Sequence, residues 1–155
     1  DDLLFHRVIW EFMVQGGDPN SRDALPGQQL GMGGPSYLIP HEIKPENVHI
    51  KGSLAAARTS NPEKKSSGSQ FYIVHGKVVP DAMLDQIESM RGFKYTPDQR
   101  EAYKTLGGTP HLDGEYTVYG RVVEGLGFLE QIAAAKTAPG DRPVKDVKMK
   151  IRLKR

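Results

Sequence analysis

With 155 residues, 37% hydrophobic and 26% charged, the chain is long enough for one domain with a buried core and too apolar for disorder to be the default. Seventeen glycines and eleven prolines exclude a simple helical bundle and favour a turn-rich β protein, while a net charge of only +2 gives no footprint for nucleic acid or an anionic membrane. The absence of cysteine removes disulfides, thiolate metal sites and cysteine nucleophiles together, and no apolar run approaches the roughly 20 residues of a membrane-spanning helix.

Residues 3–15, LLFHRVIWEFMVQ, mix β-branched and aromatic side chains with polar ones, a strand composition. Gly16, Gly17, Asp18, Pro19 and Asn20 stop it, and residues 21–40 read as loop, with Gly27, Gly31, Gly33 and Gly34 close together. Strands are expected at 52–58 and 69–75, joined by a small, polar surface loop. Residues 80–108 change period: Met83, Ile87 and Met90, with Leu84, share one helical face. A second helix begins at Thr96, where an N-cap threonine, Pro97 and Gln99 form a capping box, and Gly107 and Gly108 end it. The pattern is a helical hairpin set into a β protein. A strand follows at 115–123 and a short helix at 127–136, with Leu129, Ile132 and Ala133 on one side. In the tail, Val147, Met149, Ile151 and Leu153 alternate with Lys148, Lys150, Arg152 and Lys154, which predicts a strand with one buried and one solvated face.

Several chemistries fail on their motifs. The 31–34 glycine cluster lacks the Gly-Lys-Ser/Thr ending of a phosphate loop. His6, His41, His49, His75 and His111 show no HExxH or similar ligand spacing, so no metal site is expected. No GxSxG nucleophile elbow occurs, and the carboxylates are scattered over helices and loops.

What remains is an ordered set of blocks. Phe5-His6-Arg7-Val8-Ile9 precedes Phe12-Met13-Val14-Gln15-Gly16-Gly17-Asp18; then come Leu54-Ala55-Ala56-Ala57-Arg58, Gly68-Ser69-Gln70-Phe71-Tyr72-Ile73, Leu112-Asp113-Gly114 and Val118-Tyr119-Gly120-Arg121-Val122. In this order the blocks resemble the cyclophilin-type peptidyl-prolyl cis/trans isomerases, over most of the chain outside residues 80–108. The resemblance implies a mainly β fold, an antiparallel barrel, normally eight-stranded, with capping helices and here a helical hairpin insertion. It implies isomerisation of X-Pro bonds in unfolded or exposed protein segments, assisting folding, without cofactor or metal.

A prolyl amide is held planar by resonance behind a barrier of roughly 18–20 kcal/mol. No covalent bond breaks during rotation. A catalyst needs an apolar pocket for the ring, a donor favouring the twisted amide and hydrogen bonds to the neighbouring backbone. By resemblance, Arg7 is that donor, Gln15 holds the substrate backbone, and Phe12, Met13, Tyr72 and Leu112 form the proline pocket. Ala57 and Arg58 belong to the segment along which the peptide runs, and Gln70 faces the site. Phe12 and Met13 are neighbours, so both reach one pocket only if the backbone turns there. Phe71 and Ile73 read as core, and His6 as a hydrogen-bonded structural histidine, since no proton is transferred.

Two substitutions resemble bacterial members: His111 where eukaryotic ones carry tryptophan, and Tyr116 where they carry histidine. Both are assigned to substrate binding, and the lost indole implies weak cyclosporin binding. Bacterial members occupy cytoplasm or periplasm and cell envelope, and the sequence does not choose. The hairpin either overhangs the proline pocket or packs on itself. Residues 1–155 are taken as one domain whose N-terminal strands are expected to be missing, because only four residues precede the Phe5-His6-Arg7 block. The alternatives are a non-catalytic proline-peptide binding module using the same groove, or a scaffold working through the hairpin.

Overall fold

In the computed structural model, which describes residues 1–154, the strand-rich segments fold as short ladders and the 80–108 segment as helices. In chain order they are β1 (Leu3–Leu4), β2 (Arg7–Ile9), β3 (Met13–Gly16), β4 (Leu38–Ile39), β5 (Ser53–Ala56), β6 (Ser66–Ser67), β7 (Phe71–Val74), α1 (Asp81–Arg91), α2 (Pro97–Thr105), β8 (Val118–Arg121), α3 (Leu126–Ala133) and β9 (Lys148–Met149). Among the described residues no helix is long and apolar enough to cross a membrane.

Five strands make one antiparallel sheet in the order β2-β3-β7-β5-β8. The mainly β, antiparallel expectation holds, but the barrel is not closed among the described residues. Instead of linking β2 to β8, β1 pairs with β9 and β4 with β6 as separate two-stranded ladders. The β2 edge is nonetheless covered: Val8 N–H donates to the Asp141 carbonyl at 2.8 Å, laying the 138–143 loop along it.

The register divides the sheet into two working faces. Arg7 pairs with Gln15, Gln15 with Tyr72, and Tyr72 with Ala55. Directly paired residues point the same way, so this row and its i±2 neighbours share a face. Met13, Ala55, Tyr72, Val74 and Val118 pack there, with Ala57 beside them. The opposite face carries Val8 and Val14, which pack on Leu129 and Ala133 of α3 together with Phe5 and Met149. Phe71 and Ile73, read as core, are half-buried against this cluster. Gly16 lets the Met149 methyl lie directly on the β3 backbone, where a Cβ would force it aside.

The hairpin forms as expected. Thr96 caps α2 with both capping-box bonds and Pro97 begins it. A third core cluster joins Val79, Leu84, Ile87, Tyr95 and Tyr103, with Val48, Ile50 and Phe93 against it. The two methionines do not join the buried face that their spacing predicts: Met83 and Met90 are 41% and 75% exposed, outside the Leu84–Ile87 stripe that meets the tyrosines. The tail also departs from its alternation. Among the described tail residues only Lys148–Met149 forms a strand, and Ile151 and Leu153 are exposed at 60% and 94%. Alternation predicts burial only where a second layer lies against the strand, and no such layer covers these two side chains.

Leu84→Ala should cost about 2–5 kcal/mol by emptying a fully buried site, whereas Met90→Ala should change stability by less than about 0.5 kcal/mol. Urea unfolding of the two variants checks this; equal losses would restore the methionine face.

Candidate active site

The sheet face that carries Arg7, Gln15 and Tyr72 opens into a cavity of about 290 Å³, near the lower end for small-ligand sites. Its apolar lining includes Phe12, Met13, Ala57, Tyr72, Leu112 and Tyr116, and Arg7, Gln15 and Arg58 are at its polar margin. The backbone condition for Phe12 and Met13 is met by a turn: Phe12 N–H donates to the Ile9 carbonyl at 3.1 Å, and Glu11 takes a left-handed φ of 58°. That conformation is held from below, since Glu11 N–H donates to Nδ1 of buried His75, whose Nε2 meets Glu130 at 2.8 Å. Phe12 therefore leaves the strand plane and reaches the cavity occupied by Met13.

The polar side of the site is a chain of amides. Arg7 donates to Gln15 Oε1 at 3.4 Å, Gln15 donates to Gln70 Oε1 at 3.0 Å, and Gln70 Nε2 donates to the carbonyls of Gly31 and Gly33 at 2.9 and 2.7 Å. Arg7 also faces Asp141 at 3.8 Å, a partly solvated pair. Gln70 thus does not line the cavity itself. It fixes Gln15 and ties the 31–33 loop to the sheet. Gly33 must lack a side chain here, since a Cβ would collide with the buried Asp18 carboxylate.

Ala57 and Arg58 flank the cavity differently. Ala57 has its N–H on the Gln70 carbonyl and its carbonyl on Ser67 N–H, at 3.0 and 2.8 Å, so its own main chain is engaged within the fold. The Arg58 guanidinium is engaged too: Nε donates to the Glu115 carbonyl at 3.0 Å, and the group lies 4.5 Å from the Tyr116 ring centre. Tyr116 in turn meets Tyr72 edge-on at 5.9 Å. His111, assigned to substrate binding, does not line the cavity. It stacks on Phe12 at 5.6 Å.

A buried network behind the pocket was not legible in the sequence. Asp113 Oδ1 accepts from both the backbone N–H and the ring Nδ1 of His49, at 2.8 and 2.7 Å, and Oδ2 accepts from Tyr95 and Tyr103 at 2.8 and 2.5 Å. A carboxylate only accepts, so His49 carries its proton on Nδ1, and Nε2 receives the Tyr72 hydroxyl at 2.9 Å. Burial first, and the carboxylate second for the two hairpin tyrosines, hold the phenols of Tyr72, Tyr95 and Tyr103 well above their ordinary pKa, so all three remain donors. The hairpin therefore packs behind the site and bears on it through Asp113. It does not overhang the cavity, whose lining includes none of its residues. The only signal in the sequence was Asp113 within the Leu-Asp-Gly block; His49 stood alone.

His6 also departs from expectation. It is 3% exposed and borders the cavity, but neither ring nitrogen has a hydrogen-bond partner among the described residues. Burial lowers its pKa; Asp18 and the nearby Leu4 backbone, which stands outside normal hydrogen-bond geometry, oppose this, and Arg7 and Arg142 act with burial.

Comparison with known proteins identifies the family. A family model described as cyclophilin type peptidyl-prolyl cis-trans isomerase/CLD matches residues 1–152. A Staphylococcus epidermidis protein named "Putative peptidyl-prolyl cis-trans isomerase" is 41% identical over 150 residues, spanning 95% of this chain and 69% of that one. A Staphylococcus saprophyticus protein of the same name is 41% identical over 148 residues, with 94% and 68% covered. The fold matches a Cryptosporidium parvum cyclophilin crystallised in the presence of the dipeptide Ala-Pro, with a TM-score of 0.64, 24% identity, and 96% and 72% of the two chains covered. The fold and the family match thus define a cyclophilin-type protein. The chain belongs to the cyclophilin-type peptidyl-prolyl cis-trans isomerase family, and its activity is rotation about the peptide bond preceding proline.

Two predictions test the site's supports. Asp113→Ala leaves His49 and two phenols without their acceptor and should cost about 3–5 kcal/mol, against about 1 kcal/mol for Tyr103→Phe. Chemical denaturation measures both, and similar small losses would dissolve the network. For His6, the folded pKa lies below the unfolded value, so the unfolded chain binds the extra proton first. The stabilisation is full above the ordinary histidine pKa of about 6.5 and is lost as pH falls through the lowered folded value. The native chain should therefore lose stability relative to His6→Gln from pH 7.5 to pH 5.5. Parallel pH profiles would mean that His6 does not titrate in this way.

Proposed function

We propose that Arg7 and Gln15 carry the isomerisation on proline-containing polypeptides, with Phe12, Met13, Tyr72, Leu112 and Tyr116 holding the prolyl ring. The observation that supports this most directly is the cross-strand row, in which Arg7 and Gln15 stand side by side at the margin of an apolar cavity of about 290 Å³. In the planar amide the prolyl nitrogen lone pair is delocalised into the carbonyl. As the bond twists, that lone pair localises, and a guanidinium N–H aimed at it binds the twisted state better than either planar one. Arginine remains charged throughout and offers several donors, so one can serve the nitrogen while another stays on Gln15.

Gln15 offers the substrate backbone an amide whose orientation is fixed by Gln70. The Arg58 backbone, rather than that of Ala57, is the part of the flanking segment on which a peptide can pair, because both Ala57 groups are engaged. His111 acts through Phe12 rather than on the ring. Without an indole at that position, cyclosporin-type macrocycles bind weakly. Unfolded or exposed chain segments are the substrates that reach so shallow a pocket, which accords with a role in protein folding.

Exchange NMR on a short Ala-Pro peptide tests the assignment, with circular dichroism confirming that each protein is folded. The native chain should accelerate exchange, and Arg7→Ala should lose on the order of 10²–10³-fold, the scale for removing one preorganised donor. Acceleration unchanged in Arg7→Ala would remove arginine from the mechanism. A folded native chain that broadens the peptide signals without speeding exchange would establish the non-catalytic binding module instead.

A further inference from the structure

A second cavity, of about 680 Å³, adjoins the proline pocket, and the two share His6, Leu30, Met32 and Gly140 as a common border. It lies between the 26–32 loop and the 138–146 loop, on the β2 side of the site, away from Arg58 and Thr59. We propose that this cavity is a second substrate subsite, which takes an apolar side chain within two residues of the substrate proline, on the flank opposite Arg58. The inference rests on the active-site reading above.

Three observations carry it. The first is His6, whose ring is 3% exposed and borders both cavities without a partner for either nitrogen among the described residues. A buried polar group without a partner destabilises the fold, and such groups in native proteins have a reason. Kept neutral by burial, the ring presents one N–H and one lone pair, the complement of a peptide unit's carbonyl and N–H. The second is the chemistry of the walls. Leu30, Pro139, Pro143 and Val144 are apolar, and the ion pair in the lining, Arg142 with Asp146 at 2.9 and 3.1 Å, is closed upon itself. The two charges cancel and leave nothing to select an ion, so the matching occupant is a neutral, aliphatic side chain.

The third is that the cavity's width is set. Arg142 also donates to the carbonyls of Leu25 and Gln28, at 3.0 and 2.9 Å, and so ties one loop to the other across 114 or more residues of sequence. The 138–143 loop is itself anchored on β2 through Val8 and Asp141. A groove continuous with the proline pocket and spanned by its own internal brace is preorganised, and little ordering is needed when a peptide enters.

The test is exchange NMR with blocked peptides that carry Ala or Leu at the two positions on each side of proline. Leucine on one flank should raise kcat/KM on the order of tenfold over the all-alanine peptide, the scale at which an apolar pocket discriminates a few methylenes. Val144→Asp, at a side chain 64% exposed and therefore safe for folding, should abolish that preference while turnover of the all-alanine peptide stays unchanged. Binding of the leucine peptide should also shift the His6 ring and Val144 methyl resonances, whereas the alanine peptide should move only His6. An absence of leucine preference, or a preference that survives Val144→Asp, would overturn the subsite. Failure of the native chain to turn over any of the peptides would instead overturn the active-site assignment.

Discussion

The antiparallel register of β2, β3 and β7 is the constraint on which the rest of the site depends. Strand side chains alternate faces with a period of two, so a slip of one residue between β2 and β3 would turn Arg7 toward α3 and Val8 toward the cavity. The pairing Arg7–Gln15–Tyr72 is protected by what lies on the other face. Val8 and Val14 can reach Leu129, Ala133 and Met149 only in this register. Apolar burial behind the sheet therefore fixes the polar geometry in front of it, and the energy that folds the chain also positions the guanidinium.

That positioning is extended sideways and backwards by buried hydrogen bonds. Sideways, Gln70 uses its carbonyl on Gln15 and its NH₂ on two loop carbonyls, so the amide that would meet the substrate cannot rotate freely. Backwards, Asp113 collects four donors and passes their constraint through His49 to Tyr72. In low-dielectric surroundings such networks are stiff when every member is satisfied. The α1–α2 hairpin supplies two of the four donors, which gives it a mechanical share in the cavity although none of its residues lines it.

The sequence made local features legible and left distant ones hidden. The capping box at Thr96 depends on residues three apart, and β3 on the β-branched and aromatic composition of a short segment, so each can be read directly. The ordered blocks around Arg7, Gln15 and Tyr72 lead to the pocket because their spacing reflects one shared sheet. By contrast, His49 and Asp113 are 64 residues apart, and nothing near either one announces the other. Burial is not legible where it requires a second layer. Met90 fits a helical face and Leu153 a strand face, but periodicity says only which residues point together, never whether anything lies opposite. His111 adjoins the pocket residue Leu112 in sequence, yet the 3-10 turn at Pro110–Leu112 sends the two side chains in different directions.

Prolyl rotation offers a catalyst very little to work with. No bond is made, no proton moves, and the twisted state differs from the planar ones mainly in where one lone pair resides. Only an interaction stronger in that state than in either ground state can accelerate the step. A mobile arginine would follow the substrate and bind all three states alike. On the proposed assignment, an arginine oriented by its cross-strand neighbour, above a cavity whose walls are braced from two sides, would give its strongest hydrogen bond to one geometry. The hydrogen bonding around Gln70 and Asp113 is what the proposed mechanism calls for: rigidity of the site would supply the difference between states that the chemistry itself does not.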